Sequence, residues 1–216
     1  MMELFVRAWP LLETAVPMTL FLGLTSFCLG SLLGLAIAFL RLSAARTLRW
    51  FAFAYVSIFR GTPLLVQMLL IYFGLPRLGV ALDPLPSAIL ALTLFSAAYL
   101  SENFRAGILS VDKGQWEAAD SLAMDRRRTI ARIILPQALR IALPPVGSRL
   151  IALMKDTSLA SAVTVVEVTR VAEQVGAASF RYLEMFLIAG AIYWIINQIL
   201  TTVQILVEQR LSKHMS

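Results

Sequence analysis

Three groups of charged and polar side chains lie inside stretches of sequence that are otherwise apolar. They are Arg60; Glu102 with Arg105; and Lys155, Asp156, Thr157 and Ser158. In lipid, each charge costs at least about 2.5 kcal/mol even on a lenient insertion scale, so each needs a partner or an aqueous cavity. Guanidinium groups bind carboxylates and carboxylates bind ammonium groups, so these side chains together suit a zwitterion. A purely structural ion network would use the same residues.

Spacing indicates how two of these groups pair. Glu102 and Arg105 are three residues apart, so on a helix they share a face and can neutralise each other. Lys155 and Asp156 are adjacent, and adjacent residues on a helix point about 100° apart. At least one of them must therefore face another helix or an aqueous cavity.

Gly61 and Pro63 predict a break in the helix that carries Arg60. Glycine loosens a helix and proline removes an amide donor, so backbone groups are left for protein, water or a ligand to satisfy. Many transporters form a polar binding site at such a break near the membrane midplane. A simple proline kink, with Arg60 paired internally, is the alternative.

The elements that position these residues are membrane helices. The chain of 216 residues is 59% hydrophobic and 15% charged, so most of it must lie in lipid. Five segments are long and apolar enough to span a bilayer: 14–40, 48–74, 85–109, 146–168 and 185–207. No cleavage site follows the first, so we expect it to be retained as an anchor. The predicted fold class is an all-α integral membrane protein with five transmembrane helices.

Basic residues predict the orientation of these helices. One set of connections holds Arg41, Arg46, Arg49, Lys113, Arg126, Arg127, Arg128, Arg132, Arg140, Arg210 and Lys213, and the other holds Arg7, Arg77, Arg170 and Arg181. The richer set belongs in the cytoplasm, so the N-terminus is predicted outside and the C-terminus inside. These positions explain the net charge of +6 without a nucleic-acid partner.

Gly30 and Gly34 form a GxxxG pattern in the first span. Small residues at this spacing let another helix approach closely. The partner helix belongs either to the same chain or to a second copy.

Several catalytic and cofactor motifs are absent from the sequence. It has no GxxxxGK[ST] phosphate-binding loop and no GxSxG, and it has a single cysteine, Cys28, and a single histidine, His214. The chain is therefore predicted to be non-catalytic and to bind no metal or cofactor. Energy for uphill transport must come from a partner or from an ion gradient. In the second case Glu102 and Asp156 would be the proton sites of a secondary carrier; a membrane scaffold without transport is a third reading.

Residues 114–140 are too polar for lipid and too long for a tight connection. Glu117 to Met124 favours a helix, with Asp112 as a candidate N-cap. A second helix is predicted from Arg126, because apolar residues recur at helical spacing: Ile130, Ile133, Ile134, Ala138 and Ile141. Two short helices with a bend between them form either a docking surface for a soluble subunit or a segment lying on anionic headgroups.

This segment resembles the EAA loop of ABC-importer permeases, whose pattern is EAA-x3-G-x9-I-x-LP. Glu117-Ala118-Ala119, Ala123 and Ile133-x-Leu135-Pro136 stand at the matching positions, with Ala123 in place of the usual glycine. Alanine is strained at positive φ. We therefore expect the bend to be tighter on the Met124 side, or the fit to the ATPase to be altered.

Further motifs are similar to those of polar amino acid uptake permeases, the histidine, arginine, glutamine and cystine group. They are FRGTPLLVQ (59–67), AAYLSENFRAGI (97–108), GQWEAA (114–119), LPQALRIALPP (135–145) and KDTSL (155–159). DPLPSA (83–88) followed by KGQWEAA looks most like the cystine branch. The likeness extends over about residues 14–207.

The resemblance implies a type I ABC importer fold and a single permease domain over residues 1–216 in a bacterial cytoplasmic membrane. It implies a second permease subunit, two ATPase subunits that hold ATP and Mg²⁺, and an extracytoplasmic binding protein. Glu117, Ala118, Ala119 and Ala123 would belong to the ATPase-coupling loop of residues 112–142, with Glu117 placed for a salt bridge. Substrate contacts would come from Glu102, Arg105, Asp156, Thr157 and Ser158, beside Arg60.

Overall fold

The computed structural model describes residues 2–212, and the side chains of residues 3–210. Within that range every regular element is helical, as predicted. The α-helices are α1 Met2–Leu42, α2 Arg46–Gly61, α3 Leu64–Leu69, α4 Pro84–Leu109, α5 Lys113–Ser121, α6 Arg126–Thr129, α7 Leu135–Asp156, α8 Val168–Ser179 and α9 Tyr182–Ser212. π-Helices occupy Leu70–Gly74 and Ile130–Ile134, and 3-10 helices occupy Leu75–Leu78 and Thr157–Val163. Lys213 and His214 lie outside the described residues.

Helix α1 is longer than the sequence predicted. It has 41 residues and begins at Met2 instead of near Thr14, which gives a length of about 60 Å at 1.5 Å per residue. Charges end the apolar run without ending the helix, so α1 extends beyond the predicted span of residues 14–40. Arg7 donates to Glu3 at 3.0 Å, and both side chains are exposed.

The GxxxG pattern of α1 packs against α4 of the same chain. A Cβ added to Gly34 would lie 3.0 Å from the carbonyl oxygen of Ala97, and one added to Gly30 would lie 3.1 Å from the Cβ of Ser96. The small residues therefore allow the backbones of α1 and α4 to approach closely. Of the two alternatives, the partner helix thus belongs to the same chain.

The predicted break beside Arg60 is confirmed. Thr62 and Pro63 have extended backbone between α2 and α3, and the helical path bends there by 106°. Pro63 cannot donate to the carbonyl of Phe59. The side-chain amide of Gln67 takes its place, donating to the oxygen of Phe59 at 2.9 Å and to the hydroxyl of Thr62 at 2.8 Å. A simple kink does not describe this segment.

The predicted fourth span, 146–168, is not one helix. Helix α7 ends at Asp156, a 3-10 helix follows, and Thr164 ends that helix with a φ of 66°. Within residues 2–212, three helices are long and apolar enough to cross a membrane, namely α1, α4 and α9, or four if α2 and its bent continuation count as one span. Helix α7 is not among them, so the structure does not confirm the count of five.

Helix α4 is the central element of the bundle. Ala88, Ala91 and Leu92 on α4 are fully buried, in an apolar cluster shared with Leu22 of α1 and Leu153 of α7. A second close approach joins α4 to α7, because a Cβ on Gly107 would lie 2.6 Å from the carbonyl oxygen of Ala138. The two helices that carry Glu102 and Asp156 are thus fixed against each other.

Candidate functional site

Glu102 is held between two guanidinium groups. Arg105 Nη2 donates to its Oε2 at 2.9 Å, which confirms the predicted pairing along α4. Arg41 Nη1 lies 2.9 Å from the other oxygen, Oε1, as an ion pair. The sequence reading placed Arg41 in a cytoplasmic connection and so missed this contact. Arg41 lies in the last turn of α1, so this ion pair joins the end of α1 to α4.

Glu102 also borders a cavity of about 250 Å³. Its other lining residues are Arg41, Phe53, Val56, Ser57 and Arg60. Arg60, which is exposed in this chain, lies with its guanidinium carbon 5.1 Å from the ring centre of Tyr99. The structure therefore brings Arg60, Glu102 and Arg105 together, and Arg41 completes a cavity with both charge signs.

Asp156 is paired with a cation that the sequence analysis did not single out. Arg149 Nη2 donates to Asp156 Oδ2 at 2.8 Å. The Arg149 guanidinium carbon lies 5.1 Å from the ring centre of Phe95 and 5.0 Å from that of Tyr99. Arg149 lies inside the predicted fourth span. The rule that a charge in an apolar span needs a partner or a cavity would therefore have singled it out as well.

Lys155, Thr157 and Ser158 are placed differently from Asp156. Lys155 is exposed, so it points away from its neighbour, as the helical spacing predicted. The hydroxyl of Thr157 is buried and donates to the carbonyl of Met154 at 2.7 Å, and that of Ser158 donates to the carbonyl of Lys155 at 2.8 Å. Both hydroxyls are therefore engaged by their own helix end. The ring of Tyr99, in contact with Arg60 and Arg149, connects the Asp156 pair to the Glu102 cavity.

Glu167 is a buried acid that sequence reasoning also missed. It is fully buried, and its carboxylate caps α8 by accepting from the backbone N–H groups of Thr169 and Arg170 at 2.9 and 2.8 Å. Tyr193 of α9 donates its hydroxyl to the same carboxylate at 2.6 Å. These bonds satisfy the acid without a cation, so its role is to join α8 to α9.

The loop after α4 has the predicted pair of helices. Asp112 caps α5, accepting from the N–H of Gly114 at 2.7 Å, which confirms the predicted N-cap. Asp125 caps the second helix, accepting from Arg127 and Arg128. Ala119 is buried, whereas Glu117 and Ala118 are exposed. The loop therefore presents Glu117 and Ala118 outward and uses Ala119 for packing.

Helix α5 is attached to the beginning of α7. Trp116 and Ile133 pack on a cluster formed by Val111, Ile134 and Ala138. The amide of Gln137 donates to the side-chain oxygen of Gln115 at 3.1 Å. From this attachment α7 continues for 22 residues to Asp156, a rise of about 33 Å. One helix thus connects the exposed loop with the Asp156 pair.

Two prolines interrupt the backbone bonding of α7. Pro144 and Pro145 lie inside the helix, so the carbonyls four residues earlier lack their usual N–H donors. Neighbouring amides bind at this point: Asn103 of α4 donates to the carbonyl of Pro145 at 3.2 Å, and Gln204 of α9 donates to that of Pro144 at 3.1 Å. The weakened turn is therefore held from two sides.

Ala123 itself has the left-handed conformation, with a φ of 50°. Its N–H donates to the carbonyl of Asp120, and the N–H of Met124 donates to that of Ala119. These two bonds are the Schellman arrangement, in which glycine usually holds the left-handed position. The expected shift of the bend to Met124 is wrong, because the hydrogen bonds that end α5 require positive φ at position 123.

Replacing Ala123 by glycine is expected to stabilise the protein. The left-handed conformation costs an alanine about 1 kcal/mol, which glycine does not incur. The midpoint of thermal unfolding in detergent should therefore rise for Ala123→Gly. Ala118→Gly, in the middle of the same helix, is the control and should lose about 1 kcal/mol. A midpoint that falls equally in both variants would contradict strain at position 123.

Comparison with known proteins identifies the family and the fold. The family described as binding-protein-dependent transport system inner membrane component matches residues 30–213. The chain belongs to this family. It is a non-catalytic integral membrane permease subunit of an amino acid ABC importer. The alternatives of an ion-coupled carrier and of a scaffold are therefore not retained.

Individual relatives agree with this assignment. The permease is 45% identical to the L-cystine transport system permease protein TcyB of Bacillus subtilis (strain 168), over 96% of this chain and 89% of that protein. A crystal structure of an amino acid ABC transporter with histidines contains a chain 36% identical, with a TM-score of 0.90 over 95% of this chain and 96% of that chain. The inward-facing MetNI methionine ABC transporter, 20% identical, shares the fold with a TM-score of 0.69 over 97% of each chain.

Proposed function

We propose that the permease forms the path by which a polar amino acid enters the bacterial cytoplasm, with L-cystine as the first candidate. The candidate follows from the likeness to TcyB and from the DPLPSA and KGQWEAA motifs. An extracytoplasmic binding protein delivers the amino acid. The permease lies in the cytoplasmic membrane as a single domain, residues 1–216, with five spans, the N-terminus outside and the C-terminus inside.

The observation that carries this proposal is the continuity of α7. Its beginning supports α5, and its end carries Asp156. ATP-driven transport requires that a change at the nucleotide site reach the substrate site, and a packed helix with two positions can transmit it. The geometry of α7 supports such a route from the EAA loop to the middle of the membrane.

Glu117, Ala118 and Ala119 form the part of the loop that enters the ATPase. Glu117 and Ala118 are exposed and available for docking, and the buried Ala119 fixes α5 to the permease. Ala123 ends the helix and directs the chain back toward α7. Two ATPase subunits carry the ATP and Mg²⁺, and no group of three or more metal-ligating side chains occurs among residues 2–212.

The substrate site consists of Glu102, Arg105 and Arg60 on one side and Asp156 with Thr157 and Ser158 on the other. Glu102 and Arg60 line a cavity of about 250 Å³, and Arg105 is paired with Glu102 beside it. This volume is just below the range of typical small-ligand sites. The two acids suit the ammonium group of the substrate and the guanidiniums suit its carboxylate. Thr157 and Ser158 shape the end of α7 beside Asp156.

A second permease subunit, a copy or a paralogue, covers the polar face of this chain. Arg60 and Lys155 are exposed in the single chain although they adjoin apolar helices. Charges facing lipid at this depth are costly, so such residues line a cavity or a subunit contact. Two permeases that enclose an aqueous path between them satisfy both side chains.

The proposal is tested by assembly and transport. The permease should co-elute with its ATPase subunits, and proteoliposomes containing both should accumulate labelled L-cystine only with ATP inside and the binding protein outside. Mass spectrometry of the ligand on the binding protein then identifies the amino acid. Uptake that follows an ion gradient and ignores ATP would reject the proposal. A different amino acid on the binding protein would reject only the choice of cystine.

A further inference from the structure

Arg149 is the most enclosed cation near the proposed site. Its side chain is only 10% exposed, and its guanidinium lies against Phe95 and Tyr99, which follow each other by one turn on α4. The two rings contact each other, with centres 5.0 Å apart. Arginine stacks well on aromatic faces, and stacking fixes the plane of its guanidinium. The group is therefore oriented by α4 before any ligand reaches it.

The hydrogen bonding of Arg149 is incomplete. A guanidinium has five N–H donors, and within the described residues one bond is formed, from Nη2 to Asp156. The Nε atom is buried and has no hydrogen-bond partner among those residues. Buried charges usually have their donors satisfied, because an unmade bond is costly in a medium of low dielectric. Arg149 thus retains capacity for a second acceptor.

Asp156 is the accessible member of the pair. Its side chain is 29% exposed, nearly three times the value for Arg149. A ligand approaching from the open side therefore meets the carboxylate first. The guanidinium behind it becomes available when the carboxylate turns away.

We propose that Arg149 binds the α-carboxylate of the transported amino acid, and that the Arg149–Asp156 pair opens to admit it. An amino acid carries the same two charges as the pair. Its carboxylate takes the place of Asp156 on Arg149, and the freed Asp156 accepts the ammonium group. The exchange leaves no charge unpaired. This inference rests on the proposed function, and it gives Arg149 a role in specificity that the proposed site did not include.

The other cations near the site are less suited to this role. Arg41 and Arg105 are both committed to Glu102. Arg60 is exposed and stacks on Tyr99 alone, so its guanidinium is less restricted. Arg149 combines burial, two aromatic contacts and an acid that can be exchanged.

The test compares amino acids with amines that lack only the carboxylate. The probes are L-cystine and cystamine, L-arginine and agmatine, and L-histidine and histamine, in uptake by the complete transporter and in direct binding to the permease in detergent. The wild type should prefer the amino acid. Arg149→Gln should weaken binding of the amino acid by about 10- to 100-fold, the range for a charge-assisted bond. Binding of the amine, which needs only Asp156, should not weaken, so the preference disappears.

Three further variants make the result specific. Arg181→Gln is the matched control, since Arg181 donates to Glu184 at 2.8 Å in a partly exposed pair away from the site, and it should keep the preference. Arg149→Lys keeps the charge without the planar guanidinium and should show only part of the preference for the amino acid. If Arg149→Gln fails to fold, Arg149→Gln with Asp156→Asn removes both charges together and should fold without the preference.

The outcomes separate the two proposals. An unchanged preference in folded Arg149→Gln, or in the double variant, would overturn the role of Arg149 while leaving the importer intact. A wild type that transports amino acid and amine equally would also overturn it. A wild type that transports none of the amino acids would overturn the proposed function as well.

Discussion

Reversing the charge of Glu117 is expected to abolish ATP-driven uptake while the permease still folds and inserts. Glu117 is exposed on α5 and has no ion pair among the described residues. The fold of α5 depends instead on the Asp112 cap and on Trp116 and Ala119. A lysine facing the cation that Glu117 is proposed to bind would cost several kcal/mol. Uptake should therefore fall at least about 100-fold for Glu117→Lys, with an unchanged midpoint of thermal unfolding.

The measurement for Glu117 is co-elution with the ATPase subunits followed by uptake in proteoliposomes. Glu3→Lys is the matched control, because Glu3 lies in an exposed pair with Arg7 at the opposite end of the chain. It should co-elute and transport like the wild type. Glu117→Gln removes the charge without reversing it, so its uptake should lie between that of Glu117→Lys and that of the control. Normal uptake by Glu117→Lys would exclude Glu117 from the ATPase contact.

Removing the carboxylate of Asp156 should abolish uptake and also destabilise the permease. Asp156→Ala leaves the Arg149 guanidinium, which is 10% exposed, without its partner. An uncompensated buried charge of this kind costs about 3 to 5 kcal/mol. The midpoint of thermal unfolding in detergent should fall clearly, and uptake should disappear.

A double variant separates the two effects of Asp156. Arg149→Met with Asp156→Ala replaces the pair by apolar groups of similar volume, which is often neutral or stabilising. It should recover most of the unfolding midpoint but none of the uptake, if the Arg149–Asp156 pair binds substrate. Recovery of both would mean that the pair is structural and that Asp156 is not a substrate contact.

The break at Pro63 and the cap at Asp112 could be predicted from the sequence, because each depends on one residue type. Pro63 removes a donor and breaks the helix, and Asp112 supplies an acceptor at a helix start. The geometry of the break could not be predicted, because it depends on Gln67. Its side-chain amide replaces the lost donor only when it turns back toward the carbonyl of Phe59. Helix α1 extends beyond its predicted span, because a helix continues past its apolar run when its charges are exposed.

The charge pairs across helices were the least predictable part of the site. Glu102 and Arg105 are close in sequence, and their pairing follows from helical spacing. The contact of Arg41 with Glu102 joins α1 to α4 and needs the packing of those helices, which periodicity does not supply. Arg149 and Glu167 were overlooked although they lie in a predicted span. The course of the chain after Asp156 was also missed, because a 3-10 helix leaves little trace in hydropathy.

Pro144 and Pro145 divide α7 into two helical segments, one beside the EAA loop and one that ends at Asp156. Because two backbone hydrogen bonds are missing, bending the helix at Pro144 and Pro145 costs little free energy. The side-chain amides of Asn103 and Gln204 hydrogen-bond to this turn and restrain it. Loss of either hydrogen bond would let one segment of α7 move while the other stays in place. In the proposed importer, a motion that begins at the EAA loop would bend α7 at Pro144 and Pro145 before it displaces Asp156.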